Sequence, residues 1–292
     1  MNIVKCIRPS TVKEVLDILE LEKSNIQLIA GGTDLVIDIR NHHNRGSILV
    51  NIANLKELRF IDIKVNEVLI GAATTFTDIV NCEEIRKYYN GLWKACKSVG
   101  SPQIRNAGTI GGNICNGSPA ADSVPPLLAL EAEAVIKSSE NNRRIPLKDF
   151  YRDKGKVDLR DNEMLYAVSF PTMKGNQGLS FEKIGLRKAL AISRISCAVF
   201  VALENPQKIK EIRVGMGALG RYPQREIPLE DQLRTKEITQ DTINDAATFI
   251  CEEVTARLKG RSSMAFKSEA IKGLFIRALE GAVGEAKKYD PN

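Results

Sequence analysis

Two glycine-rich segments constrain this chain more than any other feature. The first reads Gln27-Leu28-Ile29-Ala30-Gly31-Gly32-Thr33-Asp34-Leu35. The second runs Asn106-Ala107-Gly108-Thr109-Ile110-Gly111-Gly112-Asn113-Ile114-Cys115-Asn116-Gly117-Ser118-Pro119-Ala120-Ala121-Asp122. Each sets adjacent glycines, with uncovered backbone N–H groups, beside small hydroxyl and carboxamide side chains. That chemistry suits a phosphate-bearing ligand held by main chain rather than by charge. Two such segments suit a ligand long enough to be gripped at two places. Taken singly, each leaves an alternative open. Gly31-Gly32 reads equally well as a bare tight turn before a helix, and the second segment as a structural loop rich in turn formers. In the functional reading, asparagine amides meet a heterocycle's polar edge and the Asp122 carboxylate accepts from sugar-like hydroxyls.

The rest of the sequence narrows the partner chemistry. A chain of 292 residues can bury a real core and fold as two or three domains. The net charge of +6 is dispersed, the densest cluster being Asn141-Asn142-Arg143-Arg144, and 5% of residues are aromatic. This is a solvated surface rather than a nucleic-acid stripe. Met1 to Cys6 lacks the apolar core of a signal peptide, and no apolar run approaches the ~20 residues needed to cross a membrane. A cytoplasmic protein with reduced thiols is expected. The six cysteines form no C-x-x-C pair and the histidines are His42 and His43, so no metal site and no histidine-based catalysis are expected within the chain.

Periodicity places a helix over 10–21, with a Thr11/Glu14 capping box, and a buried strand over 26–30. Strands are expected at 48–52, 65–72, 134–137 and 164–170. Helices are expected at 75–89 and 91–99, and one through 125–130 capped by Asp122-Ser123. The break at Lys174-Gly175-Asn176-Gln177-Gly178 is the best domain boundary. Beyond it come strands at 180–184, 193–202 and 210–216, then helices at 242–258 and 267–282 that read as exposed and partner-facing. Gly215-Met216-Gly217-Ala218-Leu219-Gly220 matches the dinucleotide fingerprint in letters only. Arg221-Tyr222-Pro223 and Pro228 forbid the helix that the fingerprint needs, so a strand and turn are expected.

Ala30 to Asp34, Gln103-Ile104-Arg105-Asn106, Thr109 to Asn113 and Ser118 to Asp122 together resemble the FAD-binding subunits of molybdenum hydroxylases. The likeness extends through Gly155-Lys156-Val157, Glu163-Met164-Leu165, Phe181-Glu182-Lys183 and Arg261-Ser262-Ser263, in order along essentially the whole chain. It is nearest to the middle subunit of bacterial xanthine dehydrogenases. The resemblance implies an α+β fold: a two-subdomain FAD domain of the vanillyl-alcohol-oxidase type (1–175, subdomains about 1–55 and 56–175), then a C-terminal domain (179–292) with a small antiparallel sheet and helices.

It also implies a site. Gln27, Leu28, Ile29, Ala30, Gly31, Gly32, Thr33, Asp34 and Leu35 would wrap the pyrophosphate. Thr109, Ile110, Gly111, Gly112 and Asn113 would line its other side and the ribityl region. Val99 and Gly100 would sit near the cofactor, while Cys115, Asn116, Ala120 and Asp122 approach the flavin and its chain. Leu165 and Lys183 match positions on the adenine or flavin side. Cys115 is expected as a small packing residue and Lys183 as a charge that tunes binding, with no catalytic side chain, because the cofactor carries the chemistry. The implied function is electron transfer from 2Fe-2S clusters on one partner, fed by a molybdopterin-binding subunit, through FAD to NAD+. A flavin subunit of a nicotinate, carbon monoxide or aromatic dehydrogenase, or a non-catalytic nucleotide-binding assembly module, is the alternative.

Overall fold

The computed structural model describes residues 5–22, 26–41, 48–187 and 190–288. His42 and His43 lie outside them. The chain opens with β1 (Lys5–Ile7), α1 (Val12–Glu22), β2 (Ile26–Ile29), α2 (Leu35–Arg40) and β3 (Ile48–Asn51). β4 (Ile61–Ile63) and β5 (Glu67–Gly71) lead into short helices: α3 (Phe76–Asn81), α4 (Glu83–Tyr88), α5 (Asn90–Lys97), α6 (Pro102–Ala107), α7 (Ile110–Asn116) and α8 (Val124–Ala129). Then come β6 (Glu133–Lys137), β7 (Asn142–Pro146), α9 (Leu147–Phe150), β8 (Tyr151–Asp153), β9 (Lys156–Val157) and β10 (Met164–Pro171). The chain ends with β11 (Gln177–Gly185), β12 (Ser193–Asn205), β13 (Lys208–Gly217), β14 (Gln224–Arg225), α10 (Ile227–Leu233), α11 (Gln240–Arg257) and α12 (Met264–Lys288).

Two compact units result. The first comprises Met1–Ile79, Ser101–Gly117 and Ala132–Thr172. In it, β1 and β2 pair in parallel on either side of β3, and a five-stranded antiparallel sheet runs β4-β5-β10-β6-β7. Helix α1 forms where the capping box places it: Thr11 Oγ1 accepts from the Glu14 amide at 3.1 Å, and the Ser10 amide donates to Glu14 Oε2 at 2.7 Å. Its Val12, Val15 and Leu19 share a face and pack with Ile48, Val50 and Ile52. All of β2 stays half-buried despite its apolar sequence. That exposed apolar edge is where the first glycine segment begins.

The second unit comprises Val80–Gly100, Ser118–Glu131 and Met173–Asn292. Its antiparallel sheet runs β11-β12-β13-β14, with α12 packed on it and α11 packed against α12. Ile271, Leu274, Phe275, Ala278, Leu279 and Ala282 form the buried stripe of α12, at the spacing of one helical face. The apolar faces of both C-terminal helices are used inside the unit's own core, and their other faces stay exposed. Gly215 and Gly217 lie in β13, and no helix begins before Ile227, so the fingerprint look-alike is a strand and turn.

Other differences have local causes. The expected helix over 75–89 is two helices, because Cys82 adopts extended backbone and the Trp93 indole N–H donates to the Val80 carbonyl at 2.9 Å, satisfying an end of the first. Ser123 precedes α8 without a side-chain cap, and Asp122 is engaged elsewhere. Strands β1, β4, β8, β9 and β14 span only two or three residues each, too few for an alternating pattern to register. Among the described residues no helix is long and apolar enough to cross a membrane.

The second unit holds a buried ionic joint. Glu230 is fully buried; its Oε1 accepts from the Val214 amide and from Arg225 Nε, both at 2.9 Å, and Arg225 Nη2 contacts Oε2. Arg225→Met leaves that carboxylate without its counter-charge and is expected to cost about 3–5 kcal/mol in urea unfolding. The double change Arg225→Met/Glu230→Met should recover part of the loss. A single variant as stable as the wild type would show that the joint contributes nothing.

Candidate functional site

At the end of β2 the backbone passes against the second glycine segment. A Cβ on Gly31 would lie 1.8 Å from the Ala107 carbonyl oxygen, so only glycine permits the two segments to touch here. Gly32 and Asp34 direct their carbonyls into α2, accepting from Val36 at 3.0 Å and from Ile37 at 2.9 Å. The opposite polarity is left over. Among the described residues, the N–H groups of Gly31, Gly32, Thr33 and Asp34 donate to no protein acceptor. Four successive free donors suit an anion. Upstream, the Gln27 side-chain Oε1 is buried and has no donor. Orphaned buried acceptors of this kind call for a partner.

The second segment is built differently. It is the short helix α7, not a loop. Thr109 caps it, its Oγ1 accepting from the Gly112 amide at 3.1 Å and its carbonyl from the Asn113 amide at 3.0 Å. The Ile110 and Gly111 amides donate to the Thr74 and Ala72 carbonyls, each at 3.0 Å. Its leading N–H groups are therefore already satisfied, which corrects the expectation of a second bare phosphate cradle. Gly111 is glycine for another reason: a Cβ there would sit 2.6 Å from the Ala72 Cβ and carbonyl oxygen. Ile110 is fully buried and acts as core.

Between the two segments lies a cavity of about 300 Å³ within the first unit. Leu28 and Ala30 line it from one side, Gly111, Gly112 and Cys115 from another, with Leu165 and the stretch 159–161 completing the wall. Six of the expected site positions thus converge on one space. Ile29, Gly31, Gly32, Thr33, Asp34 and Leu35 continue from its edge along the chain, while Thr109, Asn113 and Asn116 share α7 with the lining residues. Burial in this apolar setting pushes the Cys115 thiol up to about 12, so it stays protonated at neutral pH and is a poor nucleophile.

Val99, Gly100, Ala120, Asp122 and Lys183 belong to the second unit. There Asp122, itself buried, accepts from Lys183 Nζ at 2.6 Å and Ser98 Oγ at 3.4 Å on Oδ2, and from Ser193 Oγ at 2.5 Å on Oδ1. Burial pushes this carboxyl up, against the pull of Lys183 and the two hydroxyls. Lys183 also donates to the Ser98 and Ala191 carbonyls at 3.0 and 3.3 Å. The two expected ligand-binding charges are thus each other's partners, and any contact with a ligand would be shared with that pairing.

Residues 2–173 match the FAD-binding domain in molybdopterin dehydrogenase, and residues 180–282 match the carbon monoxide dehydrogenase flavoprotein C-terminal domain. The chain belongs to this FAD-binding molybdopterin dehydrogenase family. It is 34% identical to the nicotinate dehydrogenase FAD-subunit of Eubacterium barkeri, over 95% of this chain and 97% of the other. It is 33% identical to the xanthine dehydrogenase FAD-binding subunit of Escherichia coli O157:H7, over 96% of each. The solved carbon monoxide dehydrogenase of Hydrogenophaga pseudoflava superposes with a TM-score of 0.89 at 26% identity, covering 96% of this chain and 97% of that one. The expected fold class, an FAD domain followed by a C-terminal domain with an antiparallel sheet and helices, holds.

The first unit's residues fit an FAD of this family. The free N–H row matches a pyrophosphate, and the apolar cavity matches the uncharged parts of a dinucleotide. Leu159, Arg160 and Glu163, outside the expected site positions, also line the cavity. Only Glu163 stood inside a recognised run, and nothing local marks its role, because its main partner lies on β7.

Two outcomes follow for this site. Gly31→Ala drives a methyl into a backbone carbonyl that no rotamer change can relieve, so it is expected to cost about 3 kcal/mol or more in urea unfolding and to abolish flavin retention. Cys115, with its raised thiol, should resist brief iodoacetamide treatment of the folded protein at neutral pH, while the exposed Cys6 is labelled. Peptide mass spectrometry reads both, and rapid labelling of Cys115 would contradict the assignment.

Proposed function

We propose that this chain is the FAD-binding, electron-transferring subunit of a multi-subunit molybdenum hydroxylase acting on an N-heterocycle, xanthine first and nicotinate second. The row of free N–H groups from Gly31 to Asp34, at the edge of a cavity lined by both glycine segments, carries this reading. Near-equal identity to a nicotinate and a xanthine dehydrogenase FAD subunit supports the N-heterocycle class and keeps both substrates in view. The proposed domain division is 1–175 and 179–292, supported by the two family matches. Subdomains of about 1–55 and 56–175 are supported by the separate parallel and five-stranded antiparallel sheets.

In this reading Gly31, Gly32, Thr33 and Asp34 hold the pyrophosphate by main-chain donors, which neutralise charge without a lysine or arginine. Leu28, Ala30 and Leu165 exclude water from one end of the bound dinucleotide. Cys115 stays a neutral thiol beside it. Lys183 and Asp122, locked together, present a nearly neutral pair rather than a free charge. FAD held by these residues would supply the redox chemistry linking a partner's 2Fe-2S clusters to NAD+. A molybdopterin-binding subunit and a 2Fe-2S subunit complete the enzyme.

The full chain purified from its native host should be yellow, carry one FAD, and co-purify with molybdenum- and iron-containing chains. Xanthine or nicotinate should bleach the flavin of that complex anaerobically, and NADH should bleach it in reverse. A colourless chain that takes up no FAD on reconstitution would sink the proposal. Bleaching by nicotinate alone would select the second substrate.

A further inference from the structure

One wall of the cavity comes from neither glycine segment. It is a strap, residues 158–163, that joins β9 to β10, and its Leu159, Arg160 and Asp161 face the cavity. Both ends of the strap are tied to one side chain. Arg143, on β7, donates from Nη2 to the Asp158 carbonyl at 2.8 Å and from Nη1 to Asp158 Oδ2 at 3.3 Å. The same guanidinium reaches both Glu163 oxygens, from Nε at 2.7 Å and from Nη2 at 2.6 Å. Glu163 Oε2 also accepts from the Arg160 amide at 2.8 Å, in the middle of the strap, and the Glu163 amide returns a bond to the Arg160 carbonyl at 3.0 Å.

The Glu163 side chain is 5% exposed, so its charge depends on these donors. Burial alone would raise its carboxyl, but the Arg143 hydrogen bonds and the Arg160 amide outweigh burial and hold it below the usual glutamate range. A two-pronged arginine–carboxylate pair of this kind fixes direction as well as distance. Its effect here is to set the backbone of a six-residue loop that has no secondary structure of its own. Without it, the residues that wall the cavity would have to be ordered at the moment a ligand binds, and binding would bear that cost.

We propose that Glu163, gripped by Arg143, is a positioning residue for the dinucleotide, holding Leu159 and Arg160 in place as the wall against its adenosine end. This rests on the FAD reading above. The adenosine end is assigned here because it takes no part in the chemistry and needs no access for an electron donor or acceptor, whereas the reactive ring does. An apolar space flanked by Leu28, Ala30 and Leu165 suits such a passive anchor.

The test uses the full-length chain freed of flavin, titrated with FAD by quenching of flavin fluorescence and with ADP as competitor. Amide hydrogen exchange is followed at 159–161 and at 31–35. Glu163→Gln should weaken FAD binding roughly ten- to hundredfold, weaken ADP in proportion, and speed exchange at 159–161 while leaving 31–35 unchanged. Arg143→Lys, which keeps the charge but not the fork, should fall between Glu163→Gln and the wild type. Unchanged FAD affinity in Glu163→Gln overturns the proposal, as does an exchange increase that reaches 31–35 equally, since general loosening would then explain the effect. Weakened FAD with unaltered ADP competition would also overturn it, by removing the adenosine assignment. A wild-type chain that takes up no FAD overturns the underlying reading, and the proposal with it.

Discussion

The contact of the Gly31 backbone with the Ala107 carbonyl is the constraint on which the rest of the first unit depends. It brings the end of a parallel strand against the turn between two short helices, with no room for a methyl group. Because the backbones meet there, Gly31 to Asp34 do not continue the strand ladder, and among the described residues their N–H groups have no protein acceptor. The same approach sets the spacing between Leu28 and Ala30 on one side and Gly112 and Cys115 on the other. A binding edge made of main-chain donors needs such a rigid contact, since loose donors would simply turn to water or to each other.

The two glycine pairs look alike in letters and do opposite work. Gly31-Gly32 frees donors. Gly111-Gly112 belongs to a capped helix whose donors are all taken, with Gly111 packed on Ala72 so that α7 can lie close to the end of β5. The second pair therefore shapes the cavity instead of gripping an anion. Charge is handled with similar economy. Asp122 and Lys183 satisfy one another within the second unit, and Arg143 with Glu163 does so in the first. In both, ionised groups fix backbone segments while adding little net charge to their own unit.

Much of the fold was legible. The α1 capping box, the apolar run of β2, the long strands β12 and β13 and the periodic helices α11 and α12 all follow from local pattern, and the prolines after Gly220 ruled out the false fingerprint. Short strands of two or three residues left no pattern. The helical state of α7 was hidden by its glycines, which argue for a loop when read by propensity; Thr109 as a cap, with the Thr74 and Ala72 carbonyls as acceptors, overrides that preference. Of the cavity lining, Leu28, Ala30, Gly111, Gly112, Cys115 and Leu165 stand among the positions that the family resemblance singles out, whereas Glu163 is set in place only by Arg143 on another strand.

The sequence by itself determined the family, the cofactor class and the location of the donor row, because those rest on short runs of consecutive residues. It also fixed which helices present apolar faces, since periodicity is local. Tertiary structure decided which glycine N–H groups remain free and which are used, because that turns on acceptors such as Ala72 and Thr74 that lie far away along the chain. It likewise decided that Asp122 pairs with Lys183 and that Arg143 holds the strap. Hydrogen bonds and ion pairs are satisfied across distances in sequence that no local pattern records.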